Sequence, residues 1–529
     1  MTNQQTAGQS TEALDSTAKL VHALDNPLAF GHSIDSLHLI ETHISWVILT
    51  GDYVYKIKKP VDFGFLNFST LDKRRHFCHE ELRLNRRFAP HIYLDVVEIR
   101  GPIDAPRLHG SGQVIDYAVK MAEFSQQDLL SHHATERTLT SLMVDAIADR
   151  VTHLHAAGEV ATGDSRYGSP SSVRHWSEEN MEHLATAVPD SLMPPAFAVL
   201  QAWYRDNAAL LDQVERRKSE GQVRECHGDL HLGNMALIDN EVMPFDCIEF
   251  NPELRWIDTI SEAAFVAMDL QARGYAGYGW RFINRYLENS EDYEGIRLLR
   301  YYIVYRALVR AKVEALQVAT TPNPSTSTFS SAFSYLDLAA SWATRRGTGI
   351  IIMHGLSGSG KSTVAAQLVE TLGAIRLRSD VIRKQIYKLR PDADSGSATD
   401  QGIYSADSTE KTYQRLQQLT AMITGAHFCV IVDATFLQEA RRQQFLQLQT
   451  GLDCARIIVN CEAPEETLRQ RISERKNDPS EANLEVLEQQ LRTRQAISAE
   501  EQAMADIVNV GVDGLGGAQI DQIRKLLDI

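Results

Sequence analysis

Two hydrophobic periods alternate along this chain. From Ile40 the pattern turns to strands: ETHISWVILTGDYVYKIKKPV carries β-branched and aromatic residues on both sides of Gly51-Asp52, which predicts a hairpin. Side chains alternate across a strand, so Val54, Lys56 and Lys58 share one face of its second arm. The period then lengthens to that of a helix between Leu71 and Phe88, a segment containing Glu80-Glu81-Leu82-Arg83-Leu84. Strands are expected around His91 to Ile99 and Val114 to Met121, and residues 125 to about 215 read mostly as helices, broken at Pro194-Pro195. The loop Cys226-His227-Gly228-Asp229-Leu230-His231-Leu232-Gly233-Asn234 precedes an apolar run from Met235 to Ile238, an Asp239-Asn240 turn and a strand from Val242 to Asp246. Helical patterning resumes at Asp258 and is strongest in YYIVYRALVRAKVEAL, from Tyr301.

The pattern breaks at Thr320-Thr321-Pro322-Asn323-Pro324-Ser325-Thr326-Ser327-Thr328, which is poor in apolar residues and rich in turn formers. A domain boundary is expected there. The organisation read from the chain is a polar arm over 1–25, a first domain over 26–318, a linker and connecting helix over 319–345, and a second domain over 346–529. The second domain opens with a short β-branched strand, Gly349-Ile350-Ile351-Ile352-Met353-His354, followed by Gly355-Leu356-Ser357-Gly358-Ser359-Gly360-Lys361-Ser362-Thr363 and a helix-like run. Strand, G-x-x-x-x-G-K-S and helix, in that order, make a phosphate-cradling loop. Gly355, Ser357, Gly358, Ser359, Gly360 and Thr363 bring backbone N–H groups toward phosphate oxygens, Lys361 reaches the β- and γ-phosphates, and the Ser362 hydroxyl is placed to ligand Mg2+.

Composition narrows the picture in two ways. A net charge of -16 opposes broad nucleic-acid or membrane binding, since anionic phosphates would be repelled over most of the surface. No apolar run is long enough to cross a bilayer, the first twenty residues are polar, and the six cysteines (Cys78, Cys226, Cys247, Cys429, Cys454, Cys461) form no C-x-x-C pair. Reduced thiols and a cytoplasmic location are expected.

In the first domain His227-x-Asp229-x-x-x-x-Asn234 has the spacing of a kinase catalytic loop, and Asp246 follows at the end of a strand. Phosphoryl transfer gives such a set a purpose: one carboxylate takes the proton of the attacking hydroxyl, while an amide and a second carboxylate hold Mg2+ on the ATP phosphates. H-G-D-x-x-x-x-N together with F-D-x-x-E, from Phe245 to Glu249, resembles the aminoglycoside phosphotransferase and choline kinase group. The resemblance covers roughly residues 30 to 315 and implies an α+β protein-kinase-like fold. It implies Asp229 as the catalytic base and Asn234 and Asp246 as metal ligands. Glu81 resembles the helix glutamate that pairs with the ATP-binding lysine, with Glu80 adjacent. Tyr55-Lys56-Ile57-Lys58 resembles V-A-I-K and favours Lys58 as that lysine, while Lys56 lies on the same face. The sequence departs from the kinase pattern in having no G-x-G-x-x-G before the lysine strand. Asp258 resembles a structural aspartate of the fold and reads equally as a helix N-cap. Arg306 and Arg310 read as helix-surface or ion-pair residues rather than substrate ligands.

In the second domain an acid, Asp380, follows a short strand in Leu377-Arg378-Ser379-Asp380-Val381-Ile382-Arg383. That position suits a base acting on a substrate hydroxyl. The apolar run Phe428 to Val432 ends in Asp433, placed to support Mg2+. Arg471 and Arg475 are four apart on one helix face, where they would close over phosphates as a lid. This set, with Asp478-Pro479-Ser480-Glu481-Ala482-Asn483, resembles the P-loop small-molecule and polynucleotide kinases, including the zeta-toxin-like branch. The resemblance implies an α/β P-loop NTPase domain with a parallel sheet, Asp380 as base, Arg383 as a substrate contact, and Arg471 with Arg475 as the lid. Residues 391 to 407 are expected to form a substrate loop or a plain surface loop.

Over its whole length the chain resembles the group described as bifunctional aminoglycoside phosphotransferase/ATP-binding proteins. The expectation is two ATP- and Mg2+-dependent phosphotransferase modules acting on hydroxyl groups of small molecules. The alternative is an ATP-regulated switch in which one or both modules bind nucleotide without transferring phosphate.

Overall fold

The hairpin expected around Gly51-Asp52 forms two neighbouring strands of the first sheet. A computed structural model describes residues 14–34, 36–64, 66–391, 393, 401–474 and 483–529. The chain divides into two units. The first comprises Met1–Thr140, Ala157–Ser172 and Arg217–Glu262, and the second Ser141–Ala156, Val173–Arg216 and Ala263–Ile529.

In the first unit β1 (His38–Glu41), β2 (Ser45–Leu49), β3 (Tyr53–Lys58), β4 (Tyr93–Arg100) and β5 (Val114–Ala122) form an antiparallel sheet in the order β1-β2-β3-β5-β4. The β2–β3 register sets Leu49 opposite Val54 and Ser45 opposite Lys58. Tyr55 and Ile57 therefore turn to one face, where they pack with Trp46, Ile48, Ile99 and Ala118. The other face meets the helix Leu71–Asn85, whose Cys78 and Leu82 join Tyr93, Tyr117 and Val119 in a second apolar cluster. Thr70 starts this helix by accepting the Lys73 N–H at 3.3 Å. Asn85 ends it, its side chain turned back onto the Glu81 carbonyl at 2.9 Å while its own carbonyl takes the N–H of Ala89. Lys56 and Lys58 thus lie on the sheet face that the helix covers.

After the helical stretch, β6 (Val223–Glu225) pairs antiparallel with β9 (Trp256–Asp258), and β7 (Met235–Ile238) pairs with β8 (Glu241–Pro244). Asp239 and Asn240 both have positive φ, 51° and 63°, as a two-residue hairpin turn requires. The strand expected to reach Asp246 stops at Pro244. Asp246 itself has φ 63°, so the chain leaves the ladder just where its carboxylate is presented.

The second unit holds a five-stranded sheet: β10 (Gly349–His354), β11 (Ile375–Arg378), β12 (Val430–Asp433), β13 (Ala455–Cys461) and β14 (Asp506–Val510). All pairings are parallel, in the order β11-β12-β10-β13-β14. Ile350 to Met353 are fully buried, because a central parallel strand is covered on both faces. The segment read as a linker leads through the turn Thr326–Phe329 into the helix Ser330–Ala343, which packs on Ile296–Val318. This unit therefore takes in helices on both sides of residues 319–345.

One of those helices, Ala276–Ser290, lies against the open edge of the parallel sheet. The Asn284 amide donates to the Ala374 carbonyl at 3.0 Å and accepts the Arg376 N–H at 2.6 Å, so a side chain takes the place of a sixth strand. Around it Trp280 stacks on Trp342 at 5.2 Å, Arg345 lies over Trp280, and Arg281 bridges Asp145 and Glu370. All six cysteines are buried free thiols, and no helix among the described residues is long and apolar enough to cross a membrane.

Candidate active sites

The first site begins with two lysines that need acids. Lys58 is 1% exposed and is ion-paired to Glu81 at 2.6 Å and to Glu249. Its ammonium also lies over the Phe68 ring, 4.8 Å from the centroid. Lys56, two residues earlier on the same face, reaches the other Glu81 oxygen at 2.9 Å and Asp246 at 2.5 Å. Glu81 is therefore shared by both lysines, whereas Lys56 is the one that touches the exposed Asp246 carboxylate, whose side chain is 45% accessible. Glu80, its neighbour, turns away to Arg83 and Arg255.

Burial alone would raise the Glu81 carboxyl, but the Lys56 and Lys58 charges outweigh it and hold it at about 2. Burial likewise works against the Lys56 charge, and Asp246 and Glu81 overcome it, raising Lys56 well above the usual range. Glu249 moves the other way, raised by burial despite its pairing with Lys58. Three carboxylates against two ammonium groups leave an excess of negative charge on the Asp246 side. That excess faces outward, where a divalent cation would offset it.

The loop His227 to Asn234 is bound to the same place from below. The His227 Nε2 donates to the Phe245 carbonyl at 2.8 Å, and the Phe245 N–H donates to the Asn234 carbonyl at 3.0 Å. These two bonds tie the loop that carries Asp229 and Asn234 to Phe245, the residue before Asp246. Glu262 accepts the backbone N–H groups of His227 and Gly228, at 3.1 and 2.6 Å. Gly228 has φ 91°, and a Cβ there would stand 2.7 Å from the Leu254 carbonyl, so the central glycine of H-G-D is a steric requirement. The Asn234 Nδ2 donates to the Asp229 backbone oxygen at 3.0 Å and to its Oδ2 at 3.1 Å, which turns Asn234 Oδ1 the other way. An amide oxygen and the Asp246 carboxylate are hard oxygen donors of the kind Mg2+ takes, so the residues fit the metal.

Asp246 is further fixed by two groups that the sequence did not single out. The Tyr93 hydroxyl accepts its N–H at 3.0 Å, and Asn85 Oδ1 accepts the N–H of Cys247 at 2.9 Å. Lys58, Glu249, Tyr93 and Asn85 thus form the support behind Lys56, Glu81 and Asp246. The lysine pair on one face was the signal for a second acid; Tyr93 and Asn85 carried none. Asp258 accepts a two-pronged contact from Arg217, at 2.6 and 2.7 Å, and also accepts the Ile260 N–H at 3.0 Å. In the second unit Arg306 lies over the Phe265 ring, and Arg310 pairs with Glu314.

In the second unit the P-loop leaves the end of β10. Gly355 has φ 140°, and a Cβ there would come within 2.3 Å of the Cys461 carbonyl; no other residue fits. Gly358 and Gly360 also have positive φ, and Gly360 caps the helix Lys361–Leu368. Lys361 folds back to the Leu356 carbonyl at 2.8 Å, and Gln490 Oε1 accepts the Ser357 N–H at 2.9 Å. Ser359 Oγ is buried without a partner, and Thr363 continues the first helical turn.

Ser362 Oγ donates to Asp433 Oδ2 at 3.0 Å, so the hydroxyl and the acid expected to share a metal are in contact. Burial alone would raise the Asp433 carboxyl; Arg376, paired with it, holds it below its ordinary value. A serine hydroxyl and a carboxylate are again oxygen donors suited to Mg2+. Arg378 pairs in register with Asp433, and Asp380 follows in the first turn of the helix Ser379–Ile386. Asp380 therefore lies at the carboxyl end of β11, two strands from the P-loop strand, on the rim where α/β sheets bind ligands. Arg471 reaches the Gly358 carbonyl at 3.3 Å, placing one expected lid arginine on the loop. Arg383 is buried, bonded to the Ile403 carbonyl at 3.0 Å and to Thr409 at 3.2 Å, with its guanidinium over Tyr404. Arg475, the stretch Asp478 to Ala482 and part of the 391–407 loop lie outside the described residues. Arg376 and Gln490 are contacts that no spacing pointed to.

Residues 350–497 match the family described as an AAA domain. An uncharacterized protein of Mycobacterium tuberculosis is 28% identical over 450 residues, spanning 84% of this chain and 88% of that protein. Among solved structures, amicoumacin kinase in complex with AMP-PNP and Ca2+ covers 62% of this chain and 95% of its own, at 13% identity and a TM-score of 0.41. A gluconokinase from Sinorhizobium meliloti covers 35% of this chain and 92% of its own, at 22% identity and a TM-score of 0.24. The fold combines an α+β unit built on an antiparallel five-stranded sheet with a unit that holds an α/β P-loop domain on a parallel sheet, the latter containing the residues that match the AAA domain.

The two lysines should separate under substitution. Lys58→Met leaves Glu249 buried without its ion-pair partner and Glu81 with Lys56 alone, and is expected to cost about 3–5 kcal/mol in urea unfolding. Lys56→Met leaves Glu81 still paired to Lys58 and should cost clearly less; equal losses would contradict the assignment of support to Lys58 and exposure to Lys56. A pH dependence follows from His227, which burial holds below its ordinary value and which is neutral in the fold. Its contribution is intact above the free imidazole value of about 6.5 and is lost as the pH falls below it, because only the unfolded chain then takes up the proton. Between pH 7.5 and 5.5 the unfolding free energy should fall less steeply in His227→Gln than in the unsubstituted chain, by up to about 1.4 kcal/mol per pH unit below 6.5. Parallel slopes would contradict it.

Proposed function

We propose that this chain is an ATP-dependent phosphotransferase with two nucleotide-binding modules, each moving phosphate to a hydroxyl group of a small molecule. The observation that carries the reading is the gathering of Asp229, Asn234 and Asp246 beside a lysine held between Glu81 and Asp246. In the first module Lys56 is the nucleotide lysine: its ammonium is fixed by Glu81, stays charged and faces the accessible carboxylate. Lys58 is its buried support. Asp229 is the base that accepts the proton of the attacking hydroxyl, and the Asn234 amide orients it. Asn234 Oδ1 and Asp246 would hold Mg2+, which when bound neutralises phosphate charge.

In the second module the Gly355 to Thr363 loop holds the phosphates, Lys361 takes their charge once released from the Leu356 carbonyl, and Ser362 with Asp433 would hold Mg2+. Asp380, at the end of β11, is the base, and Arg471 closes on the phosphates from the far side of the loop. The match of residues 350–497 to an AAA domain supports nucleotide binding by this half.

The test is transfer of labelled γ-phosphate from ATP to a panel of hydroxyl compounds. Asp229→Asn is expected to lower transfer by the first module, and Asp380→Asn transfer by the second, each by about 10²–10⁴-fold. ATP bound by both modules with no transfer to any acceptor, or transfer indifferent to both substitutions, would overturn the enzyme reading and leave a nucleotide-operated switch.

A further inference from the structure

Arg376 lies outside every nucleotide motif, yet it sits on the acid that the P-loop serine touches. Its Nε is 3.1 Å from Asp433 Oδ2, and Nη2 contacts the same oxygen. That oxygen also accepts the Ser362 hydroxyl. The two ion-paired side chains are 11% and 5% exposed, so the pair is shielded from competing water and salt. Nor is the placement that of a free surface arginine. Asn284, on the helix Ala276–Ser290, holds the Arg376 N–H and the Ala374 carbonyl, fixing the strand residue from which the guanidinium extends. One turn further along the same helix Glu288 pairs with Arg378 at 3.5 Å, and its carbonyl accepts the Gln385 amide at 2.9 Å. A helix that precedes the P-loop by more than sixty residues thus sets the register of the strand bearing Arg376.

We propose that Arg376 sets the divalent-cation affinity of the P-loop site, as the resident cation on Asp433 Oδ2 that a metal must displace or sit beside. This rests on the reading that the P-loop binds a metal–nucleotide complex. Charge decides the direction. A divalent ion shared by Ser362 and Asp433 would stand within a few ångströms of a guanidinium, a repulsion that in a partly buried site weakens binding at least about tenfold. The metal-free nucleotide carries no such penalty. Arg376 therefore raises the metal concentration at which the site loads, without lowering its affinity for the nucleotide alone.

The experiment uses the full chain with Lys56→Met and Asp246→Asn, so that nucleotide and metal binding are both read from the P-loop, and follows fluorescent mant-ADP during titration with MgCl2. Arg376→Gln, which keeps a polar side chain but removes the charge, should lower the half-saturating Mg2+ concentration at least about tenfold and should not raise metal-free mant-ADP affinity. Arg376→Lys, which restores the charge, should return the half-saturating concentration toward that of the parent. An unchanged or higher half-saturation in Arg376→Gln, or an equal shift in Arg376→Lys, overturns the proposal. Lys361→Ala identifies the reporting site by losing mant-ADP; if it binds as the parent does, the P-loop reading itself fails, and the proposal with it. Should Arg376→Gln not fold, a crystal structure of the unsubstituted chain with Mg2+ and ADP decides. A guanidinium withdrawn from Asp433 Oδ2, or held beside a metal ligated by that oxygen, supports the proposal, and a metal bound at the P-loop away from both Asp433 and Arg376 overturns it.

Discussion

The first unit depends on one buried exchange of charge. Glu81, wholly buried on the helix Leu71–Asn85, is tolerable there because two lysines from β3 reach it. That pairing fixes the helix against the sheet, and it leaves Lys56 extended between Glu81 and Asp246 rather than free to fold onto solvent. The groups around it are arranged relative to that line of charge. Asn85 and Tyr93 hold the backbone at Asp246 and Cys247, and His227 binds the H-G-D loop to the residue before Asp246. The arrangement is specific rather than simply stabilising, since a buried ion pair gains little over a well-packed apolar pair but loses heavily when one partner is missing.

The second unit solves a similar problem with other parts. Its buried acid, Asp433, is balanced by Arg376 and touched by Ser362, while the phosphate loop is shaped by glycines that no side chain can replace. Here the support comes from a helix, Ala276–Ser290, that completes the edge of the parallel sheet with an amide instead of a strand. The carboxyl ends of β10, β11 and β12 then carry the loop, Asp380 and Asp433 on one rim.

How much of this was legible in the sequence depends on whether a feature is local. The β2–β3 hairpin, the glycine-rich loop and the H-G-D loop were legible because turn chemistry and strand alternation act over a few residues, and both lysines were placed on the right face by period two alone. Which lysine reaches the more accessible acid was not legible, because the answer lies in where Glu249 and Asp246 fall some 190 residues later. The strand drawn to Asp246 was two residues too long, since the positive φ at that aspartate is imposed by Tyr93 and Asn234 rather than by its own neighbours. Arg376, Asn284 and Gln490 left no trace in any spacing, for each acts across elements on a partner chosen by tertiary packing.

The central claim is that two separate phosphate-binding sites exist on one chain, one organised by Lys56 and the other by Lys361. Calorimetric titration with AMP-PNP in the presence of Mg2+ measures it directly. The account predicts two molecules bound per unsubstituted chain, one after Lys56→Met or Lys361→Ala alone, and none when both are changed. A stoichiometry of one that survives either single substitution would contradict it.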